Sequence, residues 1–333
     1  MKIKAINLFE YEEPFQSPMI TPKIKLNERK SLIIEILTHD DQSYYGECNA
    51  FATNWYDNET IERVIETINT WKSQIIGKVF TSFDAWLPYL SELDSMPATR
   101  ATVVMAVYQM YHTLPSFSVE YGATVSGLSN SQLLTLSRTK PKRIKLKWSS
   151  QLAEDLKRIR QLDFECDIAI DANESLTVDS FSEITELESE DILYIEEPFK
   201  SLDTLNELNA SHYPSIAIDE KATSIKHIVS IVNQYPVKVV VLKPFRLGGI
   251  DKVIEAMKIL KAKGIQFVVG GMYEFGLSRY FTAMLAKEGN YPGDITPSGY
   301  YFKEDLVKDS GILKEGMIEF TPPKVELSKL KPL

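Results

Sequence analysis

Five short apolar segments, each ending in a chargeable residue, recur along the middle of the sequence at a nearly constant interval. Their last residues are Lys147, Asp171, Glu196, Asp219 and Lys243, separated by 24, 25, 23 and 24 residues. Each interval contains one run rich in Ile and Val and then a segment long enough for a helix of about ten residues. This repeat predicts a parallel barrel whose strand ends share one rim, the face where such barrels hold their active sites.

The chemical types of these five residues indicate a metal site. Three carboxylates, on the second, third and fourth segments, would lie between lysines on the first and fifth. A buried charge is costly without partners, and carboxylate oxygens are preferred ligands of hard divalent cations. A single such residue would more often be a helix cap or a solvated charge. The row of five therefore suggests a bound divalent cation.

The composition excludes several other classes of protein. The 333 residues are 44% hydrophobic, enough for one large globular domain and a smaller one. The formal charge of −9 and a pI near 5.2 argue against nucleic acid or an anionic membrane as partner, because both require a basic surface. No apolar run approaches the roughly 20 residues of a membrane helix, and the N-terminus lacks a signal-peptide pattern.

The two cysteines indicate a reducing compartment. Cys48 and Cys166 lie in unrelated segments without metal-ligand spacing, so no disulfide framework is expected. We therefore expect the protein in the cytoplasm.

The chain is predicted to divide into an α+β capping domain (1–115), a barrel (116–300) and a C-terminal segment (301–333) that returns to the first domain. The first part is predicted to contain a strand over 2–13, a hairpin over 31–38 and 43–47, and helices from 58, over 82–90 and over 97–114.

Two apolar segments of the first part are predicted to be loops. Pro14, Pro18 and Pro22 interrupt the chain around residues 15–25, and a second loop covers residues 50–56. Each loop either packs on its own domain or covers a ligand site.

Longer motifs surround the charged strand ends. They are Lys145-Leu-Lys147, Asp171-Ala-Asn173, Glu196-Glu197-Pro198, Asp219-Glu220, Lys243-Pro244 with Arg246 and Gly248-Gly249, and Gly270-Gly-Met-Tyr-Glu-Phe-Gly276. With these motifs in this order, the chain resembles the enolase superfamily and, within its muconate-lactonising subgroup, the o-succinylbenzoate synthase and N-acylamino acid racemase group. The resemblance implies an α/β fold, a modified (β/α)7β TIM-type barrel with an α+β capping domain.

The resemblance also implies roles for individual residues. Asp171, Glu196 and Asp219 would bind Mg2+, with the neighbouring Glu197 as the alternative to Glu196. Lys147 and Lys243 would be the acid and base residues. Residues expected to contact substrate or support the metal ligands are Lys145, Asn173, Glu197, Arg246, Gly270, Gly271, Met272 and Ser298.

The activity implied by the resemblance is that of o-succinylbenzoate synthase, a Mg2+-dependent hydro-lyase of menaquinone biosynthesis acting on a small carboxylate. Racemisation of N-acylamino acids is the alternative, and a Schiff-base aldolase or a non-catalytic binding protein is a more distant one. The sequence departs from its relatives at Lys221, where many carry a small residue, and at Phe245, where racemase-type sequences often have Gly.

Overall fold

The computed structural model describes residues 1–21, 23–208 and 213–333, without the side chains of 188 and 189. Its strands are β1 (Ile3–Ile20), β2 (Lys25–Thr38), β3 (Ser43–Glu47), β4 (Phe117–Glu120), β5 (Gly122–Val125), β6 (Arg143–Lys147), β7 (Asp167–Asp171), β8 (Ile192–Glu196), β9 (Ser215–Ile218), β10 (Val237–Leu242), β11 (Gln266–Val269), β12 (Ile312–Lys314), β13 (Met317–Phe320) and β14 (Lys331–Pro332).

The α-helices alternate with the strands through the middle of the chain. They are α1 (Ile61–Trp71), α2 (Leu87–Ser91), α3 (Pro97–Tyr111), α4 (Asn130–Thr139), α5 (Leu152–Arg160), α6 (Phe181–Glu186), α7 (Thr204–Glu207), α8 (Ile225–Gln234), α9 (Pro244–Leu247), α10 (Ile250–Ala262) and α11 (Gly276–Ala286). Short 3-10 helices span Lys72–Gln74, Asp84–Trp86, Val178–Ser180, Leu187–Glu190 and Leu327–Lys329. No helix in the described part of the chain is long and apolar enough to cross a membrane.

Local sequence explains where two helices of the repeat, α4 and α8, begin. Ser129 and Gln132 form a reciprocal capping box at the start of α4. Ser224 caps α8 by accepting a hydrogen bond from a backbone N–H of the first turn, and the helix then buries Ile228 and Ile231 three residues apart. Helix α8 therefore packs against β10 of the parallel sheet with one apolar stripe.

The parallel sheet confirms the predicted barrel fold. Among the described residues, its strand order is β5 through β11 in sequence, and every neighbouring pair is parallel. A parallel bridge joins Gly270, after β11, to Asp294. A Cβ atom on Gly122 of β5 would lie 2.7 Å from the carbonyl oxygen of Gly293. Residues 293 and 294 therefore lie between the first and last strands and complete the curled sheet.

The barrel interior is filled by residues that alternate with the outward-facing ones along the strands. Ala169, Tyr194, Ala217, Val239 and Val268 form a small buried cluster, each on a different strand from β7 to β11. Side chains point alternately to the two faces along each strand. One set forms this inner layer, and the other set belongs to the larger core beneath the helices.

An antiparallel sheet is built from the two ends of the chain. Its order is β14-β1-β2-β3, so the last residues pair with the first strand. The predicted hairpin between β2 and β3 is present, and α3 packs against both strands on one side and against α9 and α10 on the other. The domain boundaries at residues 115 and 300 stay a prediction.

The prediction of a loop over residues 15–25 is wrong for most of that segment. β1 continues to Ile20 and β2 begins at Lys25, so the two strands form a long hairpin arm. Pro22, which contributed to the prediction, lies outside the described residues.

The prolines of the arm fit a strand because β1 is nearly an edge strand there. β14 pairs with β1 at Phe9 and Glu10 only. Beyond these residues, one isolated bridge is formed to the outer edge of β1 within the described part of the chain. The register with β2 shifts between Pro14 and Met19. An edge with an irregular register tolerates a residue without a backbone N–H.

Candidate active site

Five charged residues end neighbouring strands in the predicted order. Lys147, Asp171 and Glu196 are the last residues of β6, β7 and β8, while Asp219 and Lys243 directly follow β9 and β10. Because these strands are adjacent and parallel, their ends meet on one rim. The three carboxylates form a row with a lysine at each end.

Lys147 lies at the more accessible end of this row. Its Nζ lies 2.5 Å from Oδ2 of Asp171 and 2.6 Å from Oδ1 of Asn173. Asn173 has a left-handed φ of 45°, and its backbone N–H donates to Oδ1 of Asp171 at 3.1 Å. The turn after β7 thus presents two oxygen acceptors to the Lys147 ammonium group.

Lys243 is buried at the opposite end of the row. Its Nζ donates to Oδ2 of Asp219 at 2.6 Å, and Nη1 of Arg246 donates to Oδ1 at 2.8 Å. Burial opposes the charge on Lys243, but the Asp219 carboxylate outweighs it and the pKa of Lys243 is raised. Burial also opposes the charge on Asp219, yet Lys243 and Arg246 lower its pKa to about 2. Lys243 is therefore held in a buried ion pair with Asp219.

Glu196, in the middle of the row, contacts Lys145. The Lys145 Nζ lies 3.0 and 2.9 Å from its two oxygens. Burial raises the pKa of Glu196, although the Lys145 ammonium group acts in the other direction. Lys145 is buried more deeply than Lys147 and also donates to Oδ2 of Asp294 at 2.8 Å. Asp294 was not among the residues predicted from the sequence, although it lies 24 residues after Gly270 and thus one further step along the same interval.

Glu197 has different partners from its neighbour Glu196. Its Oε1 accepts the backbone N–H groups of Asp219 at 2.7 Å and Lys221 at 3.0 Å. Its Oε2 lies 2.6 Å from Nζ of Lys221, which also contacts Glu174 at 2.5 Å. Glu196 thus faces the charges inside the barrel, while Glu197 holds the backbone after β9. The role of Lys221 could not be found from strand spacing because its carboxylate partners come from two other loops.

A cavity of about 70 Å³ borders the rim beside Asp294. Gly271 and Met272, which were predicted to contact substrate, are among its lining residues: Tyr121, Gly122, Thr124, Gly271, Met272, Tyr273, Glu274, Asp294, Thr296, Tyr300 and Tyr301. Ser298 is not among them; its backbone N–H donates to the carbonyl oxygen of Gly311 at 2.7 Å.

Close packing explains both glycines at the end of β11. A Cβ atom at Gly271 would lie 2.0 Å from Oε2 of Glu274, and one at Gly270 would lie 3.1 Å from Cβ of Asp294. The glycines therefore let two carboxyl side chains approach the backbone of this loop.

Two segments from the first sixty residues reach the same rim. On the hairpin arm, the ring of Phe15 packs edge-on against Tyr273 at a centroid distance of 5.7 Å and against Tyr301 at 6.1 Å. From the predicted loop over residues 50–56, the hydroxyl of Tyr56 accepts a hydrogen bond from Arg246. No pattern in the sequence predicts the contact between Tyr56 and Arg246, which are 190 residues apart.

The donor set fits a hard divalent cation in chemical type. Asp171, Glu196 and Asp219 supply carboxylate oxygens from three adjacent strands. As the side chains stand, residues 1–21, 23–208 and 213–333 contain no group of three or more His, Cys, Asp or Glu that could hold a metal ion. Each of these three carboxylates is bonded to a cationic side chain. A bound metal ion would therefore share the carboxylates with these cations or displace them.

Comparisons with known proteins identify relatives across nearly the whole chain. The family model described as enolase C-terminal domain-like matches residues 132–324. The o-succinylbenzoate synthase of Bacillus subtilis (strain 168) is 25% identical over 339 residues, which cover 96% of this chain and 91% of that protein. The N-succinylamino acid racemase of Amycolatopsis sp is 24% identical over 338 residues, covering 92% and 90%.

A solved structure shows the same fold. The dipeptide epimerase from Methylococcus capsulatus, complexed with Mg and the dipeptide L-Arg-D-Lys, matches with a TM-score of 0.80 and 20% identity. The match covers 97% of this chain and 98% of the epimerase chain. The barrel and the antiparallel sheet are therefore a shared architecture.

Proposed function

Because the chain belongs to the enolase superfamily, we propose that it is an o-succinylbenzoate synthase. The reaction is the loss of water from 2-succinyl-6-hydroxy-2,4-cyclohexadiene-1-carboxylate to give 2-succinylbenzoate, a step of menaquinone biosynthesis in the cytoplasm. The curated relative from Bacillus subtilis carries this name. The observation that carries the proposal is the rim order of Lys147, the three carboxylates and Lys243.

In this proposal Asp171, Glu196 and Asp219 hold Mg2+. When bound, the cation would neutralise the charge that develops on the substrate carboxylate as the neighbouring proton leaves. Asp171 also contacts Lys147 at 2.5 Å, so a bound ion would place a second cation beside the Lys147 ammonium group. Repulsion between the two cations would favour release of the Lys147 side chain from Asp171.

Lys147 performs both proton transfers in the proposed reaction. Its neutral amine takes the proton from the ring carbon that bears the carboxylate, and the electrons of that C–H bond form an enediolate. The resulting ammonium group then donates the same proton to the departing hydroxyl, which leaves as water. The ring becomes aromatic, and Lys147 returns to its neutral form.

Lys243 supplies a positive charge without exchanging a proton. Its ammonium group donates to Asp219 at 2.6 Å and is buried there. A cation on the far side of the row stabilises the enediolate electrostatically.

The unequal exposure of the two lysines supports dehydration over racemisation. The side chain of Lys147 is 35% exposed, whereas that of Lys243 is 7% exposed and bonded within the interior. Syn elimination needs one mobile base, but racemisation needs two bases that gain and lose protons in turn. The asymmetry therefore favours the reaction with a single base.

Racemisation of N-succinylamino acids is the second candidate. A lysine at each end of the carboxylate row is the arrangement that a two-base reaction requires, and the Amycolatopsis relative carries that name. The same residues could therefore support it as a second activity.

One purified sample tests both reactions. We expect the dehydration to be faster than racemisation of N-succinylamino acids, with both measured in Mg2+ at the same enzyme concentration. Racemisation that is faster by orders of magnitude would reject the proposal. Incorporation of deuterium from D2O at the α-carbon of candidate acids, without either net reaction, would point to another substrate of the same site.

A further inference from the structure

Beneath the carboxylate row lies a group of buried or partly buried polar side chains, four of them charged, which we call the interior charge cluster: Arg143, Lys145, Tyr194, Glu196 and Asp294. Arg143 donates to the Tyr194 hydroxyl at 2.9 Å and to Oδ1 of Asp294 at 2.6 Å. Lys145 contacts both oxygens of Glu196 and Oδ2 of Asp294. Two cations and two carboxylates are thus balanced inside the barrel.

Asp294 connects the two cations of the cluster. One of its oxygens contacts Arg143 and the other contacts Lys145, both less than 3 Å away. Its backbone is held by the bridge to Gly270 and by the N–H contact with Val269. Asp294 is therefore fixed at the position where the last strand of the barrel meets the first.

Lys145 competes for the carboxylate that the proposed metal site needs. It contacts both oxygens of Glu196, so a cation bound to Glu196 would share these oxygens with the Lys145 ammonium group, which repels it. In the described part of the chain, the other hydrogen-bond acceptor of Lys145 is Asp294. A buried ammonium group that lost its second carboxylate would hold the remaining one more strongly.

We propose that Asp294 is a positioning residue of the metal site, which anchors the Lys145 ammonium group so that the Glu196 carboxylate is available to the divalent cation. Arg143 in turn holds Asp294 from below, so the position of its carboxylate does not depend on Lys145. This inference rests on the proposed function, because it presumes that Glu196 is a Mg2+ ligand.

The test measures Mg2+ binding by isothermal titration calorimetry, without substrate, in four proteins: wild type, Asp294→Asn, Lys145→Met and the double variant. Asp251→Asn is the matched control, because the Asp251 and Asp294 side chains are both 19% exposed and each pairs with a buried arginine, at 2.7 and 2.6 Å. Thermal unfolding followed by circular dichroism establishes that each variant is folded.

We expect D294N to weaken Mg2+ binding by about tenfold or more, as loss of a group that orients a metal ligand commonly does. D251N should stay within twofold of wild type. In the K145M background, the additional D294N change should have less than a twofold effect, because Lys145 is no longer present to compete. A purely structural role for Asp294 would not be cancelled by K145M.

Two results would overturn the proposal: D294N binding Mg2+ within twofold of wild type, or a tenfold loss that persists in the K145M background. If D294N does not fold, Mg2+ binding by K145M tests the proposal. Binding at least as tight as that of wild type supports competition by Lys145, and binding that is tenfold weaker refutes it. Failure of the wild type to bind Mg2+ at all would instead reject the metal site of the proposed function.

Discussion

The carboxylate of Glu197 accepts a hydrogen bond from the backbone N–H of Asp219 at 2.7 Å. Adjacent glutamates at the end of one strand therefore have distinct structural positions. Glu196 faces Lys145 inside the barrel, whereas Glu197, with a left-handed φ of 42°, turns toward the next strand end. The geometry supports Glu196 as the proposed metal ligand and Glu197 as the residue that orients Asp219.

The loss of stability caused by substituting Glu197 should depend on how many hydrogen-bond acceptors the new side chain keeps. Glu197→Ala leaves two backbone N–H groups and the Lys221 ammonium group without this acceptor, and we expect a loss of about 3 kcal/mol or more in the free energy of unfolding. Glu197→Gln retains one oxygen for the backbone groups and should lose less. Urea denaturation measures both, and equal losses would contradict the assignment.

Arginine substitutions should distinguish the two lysines at the ends of the row. A base must lose a proton, which arginine cannot do in proteins, whereas a fixed cation needs only its charge. We expect K147R to be as inactive in dehydration as K147M, with rates reduced by roughly 10³-fold, and K243R to be more active than K243M. Steady-state kinetics with Mg2+ tests this, and an active K147R would exclude Lys147 as the base.

Removal of divalent cations should abolish turnover and lower thermal stability. A ligand that binds only the folded state stabilises it by about 2.7 kcal/mol at 100 times its Kd. We expect EDTA to stop turnover and Mg2+ to restore it and raise Tm. E196Q should lose the increase in Tm, whereas E288Q, on an exposed side chain that pairs with Lys261, should keep it. An E196Q protein that Mg2+ stabilises fully would remove Glu196 from the site.

The buried Glu47 should make stability depend on pH. It accepts the backbone N–H groups of Phe275 and Ser278, both at 2.8 Å, and burial raises its pKa to about 8 despite these bonds. The folded protein thus keeps a proton that the unfolded chain releases above its ordinary pKa of 4.5. Stability from this group is fully present below pH 4.5 and is lost as the pH rises toward 8, by roughly 1.4 kcal/mol per pH unit at most.

Glu47→Gln provides the measurement for this effect. Gln does not titrate, so its free energy of unfolding should fall less between pH 5 and 8 than that of wild type, although it loses one acceptor and starts lower. Urea denaturation at several pH values gives both slopes. Parallel slopes would show that Glu47 is charged throughout this range.

The sequence was sufficient to predict the barrel because its signal is local and repeated. Strands β6, β7 and β8 end at the predicted residues, and strands β9 and β10 end one residue before them. Parallel strands of similar length bring their ends to one rim, so the order from Lys147 to Lys243 follows from spacing. The hairpin arm over residues 15–25 was not predictable in this way, because its prolines are tolerated only where β1 has an open edge.

The partners of the charged groups were decided by tertiary structure alone. Spacing identifies Lys145 and Glu196 as strand residues, but the Asp294 carboxylate reaches Lys145 only because the curled sheet brings its last segment beside its first strands. The Glu197 carboxylate likewise accepts a hydrogen bond from Lys221, which lies on a different loop. Sequence by itself determined which groups lie on the rim, since strand ends are local features. The pairing of each carboxylate with its cation depends on closure of the barrel, because buried charges pair with groups that are near in space, whatever their separation along the chain.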